Sequence, residues 1–228
     1  MINTRDSALD LIRGIAIIMM IVFHFIYDLN YFNFSDIPIF THWAGIAWRH
    51  LIVFLFLSAV GISLVIAHNK GVKFKKYFKR LMYLGIAALI VSAGTYLMDS
   101  NTWVYFGILH LIWVSSLIAI FFVSRPIISI LIAALILIGF IFDQPSLSFI
   151  TYFFKPYLPS STVDIYPLFP YLSFVFIGIF LGHYPYYQKI FTFRLNWLEV
   201  IGKHALIIYL THQIVLFSAV NLAYNLLN

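Results

Sequence analysis

The stretch DLIRGIAIIMMIVFHFIYD, residues 10–28, governs how the rest of the chain is interpreted. It is mostly apolar and long enough to cross a bilayer, yet it carries Asp10, Arg13, His24 and Asp28. At about 100° per residue, these four side chains lie within about 60° of one another around a helix. The stretch therefore predicts a transmembrane helix with one polar stripe. Along that stripe the arginine and the histidine are about 16 Å apart.

Ionisable side chains inside a membrane-spanning helix are costly, and they indicate a functional site. The alternative is a structural role, in which polar side chains join neighbouring helices. A lone histidine fits either interpretation. A stripe of four ionisable groups that reaches a helix end favours function.

The composition is typical of a membrane protein. Hydrophobic residues make up 63% of the 228 residues and charged residues 10%, against about 25% charged in a soluble domain. This predicts an all-α polytopic membrane protein built as a single bundle, with residues 1–228 forming one domain. The chain has no cysteine, which excludes disulfides, thiolate catalysis and cysteine metal sites.

The distribution of charge predicts a topology. Seven transmembrane helices are expected, near residues 9–29, 49–67, 81–98, 104–123, 126–142, 166–183 and 203–225. With the N-terminus in the cytoplasm, twelve of the fourteen lysines and arginines fall inside, and five of the eight acids fall outside. This follows the positive-inside rule and places the C-terminus on the extracytoplasmic side. It also explains the net charge of +6 without a nucleic-acid partner.

The loop HNKGVKFKKYFKR, residues 68–80, holds the densest group of cations. Lys73, Lys76 and Arg80 would share one helix face, because they are three and four residues apart. One interpretation is a topology signal beside anionic lipid. The other is a cytoplasmic site for a ligand that carries several phosphates.

Two further histidines lie inside predicted spans. His110 is near the outer end of the fourth span, and His212 lies about 12 Å into the last span. Together with His24 they occupy the middle-to-outer band, although each could instead be a hydrogen-bonded core histidine. Arg49, at the outer mouth of the second span, is expected either to pair with Asp28 or to anchor the surface.

The outer segment 143–170 contains five prolines and cannot form one regular helix. It is long for a connection in so small a protein. Long connections are often lids or binding loops, so we expect a lid or a re-entrant piece over the outer mouth.

These polar groups are compatible with several kinds of chemistry. A neutral histidine can act as general base toward a hydroxyl or an amine, and a carboxylate such as Asp28 can orient it. Three histidines and an aspartate could bind zinc, but no HExxH spacing is present and no metal is predicted. The main rival is a proton-coupled small-molecule transporter, although the chain shows no convincing internal repeat. A purely structural or lipid-binding membrane protein is the remaining alternative.

Five blocks of sequence occur in an order that resembles one family. They are ALDLIRGIAIIMMIVFHFIYDL, FLFLSAVGISL, FGILHLIWVSSL, DIYPLFPYLSFVFIGIFLG and IGKHALIIYLTHQIVL. Together they resemble bacterial relatives of the heparan-α-glucosaminide N-acetyltransferase catalytic domain, over essentially the whole chain. The spacing of Arg13 and His24, which are separated by ten residues, also resembles the motif of the acyltransferase-3 membrane acyltransferases.

The resemblance implies a transmembrane acetyl transfer. Acetyl-CoA would bind from the cytoplasm, and the acetyl group would pass to an amine or hydroxyl of a sugar-like or glycan acceptor on the other side. The acceptor stays open among a peptidoglycan sugar, a surface polysaccharide, a lipid-linked sugar and a small metabolite. The expected location is the bacterial inner membrane, and the oligomeric state, including a homo-oligomer, stays open.

The resemblance also suggests roles for particular residues. His24 is expected to be the catalytic histidine, as general base or as a transient acetyl carrier, and Asp28 would orient it or bind the acceptor. The CoA phosphates would be bound by Arg13, Lys76 and Arg80. The acceptor side would involve Arg49, His110 and His212. The oxyanion donor stays open among Ser58, Thr211 and a protonated histidine.

Overall fold

The computed structural model describes residues 6–142, 158–159, 161–162, 164–184, 186–191 and 195–227. Regular structure in these residues is helical, without strands, which confirms the predicted all-α class. The helices are α1 (Ser7–Tyr31), α2 (Trp43–His68), α3 (Phe74–Met98), α4 (Ile108–Ala119), α5 (Pro126–Ile141), α6 (Leu168–His183), α7 (Tyr186–Ile190), α8 (Asn196–Lys203) and α9 (Ala205–Leu227).

Four of these helices are long and apolar enough to cross a membrane. They are α1, α2, α3 and α9, with 23 to 26 residues each. Three shorter apolar helices coincide with the other predicted spans: α4 with the 3₁₀ turn Ile120–Phe122 that follows it, α5 and α6. The count of seven spans and the orientation of the termini stay predictions. The short helices α7 and α8 were not predicted, and both lie in the connection before the last long helix.

The described residues form two compact units. The first contains the chain up to residue 56 and again from residue 186, and the second contains residues 57–185. The N-terminal part of α2 thus belongs to the first unit and the remainder of α2 to the second. Whether the chain is a single domain stays a prediction.

In the first unit, Asp6 determines where α1 begins. Its side chain accepts a hydrogen bond from the backbone N–H of Leu9, which is the usual role of an N-cap aspartate. The Tyr187 hydroxyl and the Gln188 amide of α7 also donate to this carboxylate. Burial, followed by the bond to Asp6, raises the pKa of Tyr187, so the phenol keeps the proton that it donates. The start of α1 is thereby joined to α7.

Two glycines bring α1 and α8 into backbone contact. A Cβ on Gly14 would overlap the carbonyl oxygen of Leu198, and a Cβ on Gly202 would overlap the carbonyl oxygen of Asp10. Small residues allow this closeness between apolar helices, where dispersion contacts replace the hydrophobic effect. Further along α1, Ile17, Met20 and Phe23 form a buried core with Ile39 and Ile52.

The second unit has a similar glycine-based crossing. A Cβ on Gly61 of α2 would overlap the backbone of Val175, and one on Gly178 of α6 would overlap the backbone of Ser58. Elsewhere in this unit, α5 packs against α6 and α3 packs against α4. Two side chains tie α3 to α4: the Tyr77 hydroxyl donates to the Ser116 carbonyl at 2.8 Å, and the Trp113 indole donates to the Leu81 carbonyl at 3.1 Å.

Gly14→Ala and Gly202→Ala are each expected to lower the free energy of unfolding by about 1–3 kcal/mol, because the added methyl group forces two backbones apart. Gly94→Ala is the matched control, since nothing lies within 4 Å of the place that its Cβ would take. There alanine should be neutral or stabilising by up to about 1 kcal/mol through its better helix propensity. Thermal unfolding of the purified protein in detergent measures the effect. Equal midpoints for all three variants would contradict the close crossing.

Candidate active site

The polar stripe of α1 begins with an ion pair. Arg13 Nη1 lies 3.2 Å from Asp10 Oδ1, one helical turn earlier. Asp10 is 1% exposed and Arg13 24% exposed, so the carboxylate is buried and the guanidinium is partly exposed. The pair neutralises the only two formal charges in the first two turns of the helix after its N-cap. The predicted stripe is therefore electrically balanced at this end.

Further along the stripe, the rings of His24 and His212 meet. Their centroids are 4.9 Å apart and their planes are inclined by 68°. This contact joins α1 to α9, which pack against each other. The Phe23 ring stands edge-on to His24, with 6.1 Å between the centroids. The structure thus brings together two of the three histidines that the sequence singled out.

The tautomer of His212 follows from its backbone contact. Its Nδ1 lies 2.7 Å from the carbonyl oxygen of Tyr209. A carbonyl oxygen only accepts hydrogen bonds, so Nδ1 carries the proton and donates it. In the neutral ring, Nε2 is then an acceptor. That nitrogen is buried and has no hydrogen-bond partner in the part of the chain that the structure describes.

Asp28 is fully buried, and its hydrogen-bond partner is Gln213 rather than His24. The amide Nε2 of Gln213 donates to Asp28 Oδ1 at 2.7 Å. The other atoms of the pair, Asp28 Oδ2 and Gln213 Oε1, are buried without a partner among the described residues. Sequence reasoning did not single out Gln213. The available signal was an amide inside an apolar span, directly after His212.

Arg49 does not pair with Asp28. Both residues belong to the first unit, and no ion pair joins them within the described ranges. Arg49 is half-buried near the start of α2, and its interpretation as a surface anchor stays a prediction. Its expected contact with the acceptor stays a prediction.

His110 lies in the second unit and has partners of its own. The Ser92 hydroxyl donates to the Val104 carbonyl at 2.6 Å, so its oxygen accepts from His110 Nε2 at 3.1 Å. His110 Nδ1 is then an acceptor, and it is buried without a partner among the described residues. The alternative that His110 is a hydrogen-bonded core histidine is therefore correct for one ring nitrogen only. Nε2 is paired, and Nδ1 has no partner among the described residues.

The basic loop continues into α3 without the usual N-terminal stabilisation. The N-cap is Lys73, which makes no capping side-chain bond, and no acid occurs in the first turn. Lys76 is exposed and Arg80 half-buried within the first two turns. Cations are unfavourable at the positive end of a helix, whereas anions are favoured there. The start of α3 therefore combines cationic side chains with the positive end of the helix dipole, and phosphate binding there stays a prediction.

Of the expected oxyanion donors, Thr211 does not face the histidine pair. Its side chain is exposed, and its hydroxyl donates to the backbone carbonyl of Ile207 at 3.0 Å. Ser58 is buried in the second unit.

Within the described ranges, no three His, Cys, Asp or Glu side chains are grouped to hold a metal ion. Most of the expected lid, residues 143–157 of the segment 143–170, lies outside the residues that the structure describes.

Comparison with known proteins identifies the family. The family model described as "Heparan-alpha-glucosaminide N-acetyltransferase, catalytic" matches residues 5–214, and the chain belongs to this family. It is a family of membrane acetyltransferases that use acetyl-CoA as donor. The match includes α1 and the part of α9 that carries His212 and Gln213. No curated protein and no solved structure matches the chain. The resemblance drawn from the five sequence blocks is thus confirmed.

His212 is expected to hold its proton on Nδ1 and to leave Nε2 unprotonated, because the Tyr209 carbonyl accepts from Nδ1. Nitrogen NMR spectra of protein labelled with ¹⁵N-histidine distinguish the two tautomers. His212→Gln provides the assignment, since it removes one set of ring signals. A His212 signal with the proton on Nε2 would contradict the observed geometry.

Proposed function

We propose that this protein is an inner-membrane acetyltransferase of bacteria. It would move an acetyl group from cytoplasmic acetyl-CoA to an amine or hydroxyl of a sugar-like acceptor on the extracytoplasmic side. One observation carries the proposal: a chain of an acetyltransferase family places two histidines, a carboxylate and an amide together on two apolar helices. Polar groups that are left unpaired in such surroundings are costly, and a substrate that pairs with them would offset that cost.

His24 is proposed as the general base. It would remove the proton from the attacking nitrogen or oxygen while that atom forms its bond to the acetyl carbon. The carbon–sulfur bond then breaks, the thiolate leaves, and the proton passes from the imidazole to the thiolate. Each turnover thereby gives one acetylated acceptor and one free thiol, with His24 again neutral. Proton transfer of this kind contributes about 10²–10⁴-fold to a rate.

The structure favours acceptor binding over ring orientation as the role of Asp28. Its Oδ1 is occupied by Gln213, and Oδ2 is the oxygen left without a partner among the described residues. His212, whose ring touches His24, is proposed to bind the acceptor beside it. Arg49 is retained as a further acceptor-side group. His110, which belongs to the second unit, stays a sequence prediction for the acceptor side. The alternative in which His24 carries the acetyl group as an intermediate would require two successive transfers on the same ring.

The donor side is proposed to involve Arg13, Lys76 and Arg80. CoA carries a diphosphate and a further phosphate, so it suits a helix start rich in cations and lacking acids. Arg13 is already aligned by Asp10. Along α1 it lies about 16 Å from His24, which is of the order of an extended pantetheine arm. Arg13 would orient the donor while its thioester reaches His24.

His24→Ala is expected to lower acetyl transfer by at least about 100-fold while the protein still folds, because the general base is lost. Thiol release from acetyl-CoA in the presence of sugars and amino sugars measures the rate. His204→Ala is the matched control: His204 is an exposed histidine in the turn before α9, and its removal should leave the rate unchanged.

A folded His24→Ala protein with full acetyl transfer would refute the catalytic assignment. The alternative function, proton-coupled transport, can be tested with the same purified protein. Uptake of a small molecule into liposomes, driven by a proton gradient without any acyl donor, would favour a proton-coupled transporter.

The double variant Lys76→Ala/Arg80→Ala is expected to weaken CoA binding by about tenfold or more, because charge-assisted contacts to phosphate are lost. Lys189→Ala, an exposed cation on α7, is the control and should bind CoA as the wild type does. Calorimetric titration measures the affinities, and high salt should reduce the difference. Unchanged affinity in the double variant would leave the basic loop as a topology signal.

A further inference from the structure

The proposed function leaves Gln213 without a role, although its amide contacts the buried carboxylate of Asp28. We propose that Gln213 is a positioning residue of the acceptor site. It holds Asp28 Oδ1, so that Asp28 Oδ2 and its own Oε1 are kept available for hydrogens of the incoming acceptor. This inference rests on the proposed function and deepens it by naming what the site recognises: a group with at least two N–H or O–H hydrogens.

The orientation of the Gln213 amide follows from chemistry. A carboxylate only accepts hydrogen bonds, so the amide must direct its nitrogen toward Asp28 Oδ1, 2.7 Å away. The carbonyl oxygen Oε1 then points away from that oxygen. It cannot turn back without losing a charge-assisted bond and facing the carboxylate with a second acceptor. The pair therefore has one fixed arrangement.

The unpaired atoms of the site are of one kind. Asp28 Oδ2, Gln213 Oε1 and His212 Nε2 are each buried without a partner among the described residues, and each is an acceptor. Asp28 is 0% and His212 9% exposed, so bulk water does not readily compensate them. Buried acceptors are nearly always paired in folded proteins. Two of these acceptors belong to the hydrogen-bonded pair Asp28–Gln213 and the third to the neighbouring residue His212, and donor hydrogens of a ligand would complete them.

The count of hydrogens determines which ligand groups fit. A single hydroxyl brings one donor hydrogen and would leave two of the three acceptors unpaired. An amine, or two neighbouring hydroxyls of a sugar, brings at least two. The reacting group can therefore be held by hydrogen bonds to the Asp28–Gln213 pair while His24 removes its proton. An apolar group would leave all three acceptors without a partner, which is costly.

Exchanging the two functional groups provides a sharp test. In Asp28→Asn/Gln213→Glu the new amide donates to the new carboxylate, so the pair keeps one N–H···O bond, one negative charge and two available oxygens. Asp28→Asn alone removes the charge, and Gln213→Glu alone sets two carboxylates against each other. If Gln213 positions Asp28, each single variant should be impaired and the exchanged pair should recover.

The assay uses acetyl-CoA with glucosamine, with glucose, or with water alone, and records thiol release. Glucosamine offers an amine and neighbouring hydroxyls, glucose only hydroxyls, and the acetylated product shows which group reacted. Each single variant should raise the KM for the sugar by about tenfold or more, the size of effect expected for a lost hydrogen bond to a charged group. The affinity of each single variant for acetyl-CoA should stay within about twofold of the wild-type value. Asn225→Leu removes an exposed amide from the same helix and should change neither value.

The outcomes separate a positioning role from a structural one. Recovery of both the melting temperature and the KM in the exchanged pair supports the proposal. Recovery of the melting temperature alone, or single variants with an unchanged KM, overturns it. If Gln213→Glu does not fold, Gln213→Met removes the hydrogen bond without adding charge and should raise the KM in the same way.

A wild type that binds acetyl-CoA but transfers acetyl to none of the three acceptors also refutes the proposal. A folded wild type that does not bind acetyl-CoA would instead refute the proposed function.

Discussion

Polar atoms buried in an apolar helix bundle need partners, and the first unit meets this need unevenly along α1. At the start of the helix the need is met, since Asp10 pairs with Arg13 and Asp6 receives hydrogen bonds from α7. Toward the other end Asp28 shares a single bond with Gln213, and acceptor atoms remain without donors among the described residues. The same helix thus combines a stable attachment with a polar centre whose pairing is incomplete. The proposed chemistry lies at the incomplete end.

Much of this arrangement could be predicted from the sequence, because it depends on helical periodicity. The spacing of Asp10, Arg13, His24 and Asp28 places them on one face whatever the tertiary structure is. The distance of His212 from the helix start made its depth comparable with that of His24. The same argument applied to His110, so only the structure shows which histidine contacts His24. The apolar segments gave the helices nearly where the structure has them. The family could also be identified from the order of the five sequence blocks.

The details that the sequence could not provide depend on contacts between distant segments. Asp28 could have met His24, Arg49 or another group, and only tertiary packing decides that it meets Gln213. The short helices α7 and α8 have no long apolar period, and α8 is held to α1 by backbone closeness at Gly14 and Gly202. A glycine in a membrane helix is common, so the residue alone does not show which one marks a crossing.

The continuity of α1 has a consequence for the choice of donor. Ser7–Tyr31 is one uninterrupted helix, and its start is fixed by Asp6 and by the crossing with α8. The separation of Arg13 from His24 is therefore built into the rise of the backbone, about 1.5 Å for each residue, and does not depend on a mobile loop. A continuous helix of this kind keeps the distance between the two residues fixed. If Arg13 binds the phosphates and His24 is the base, as proposed, thioesters on carriers much shorter than the pantetheine arm would engage the arginine or reach the histidine, but not both at once. The helix itself would then select the carrier by length.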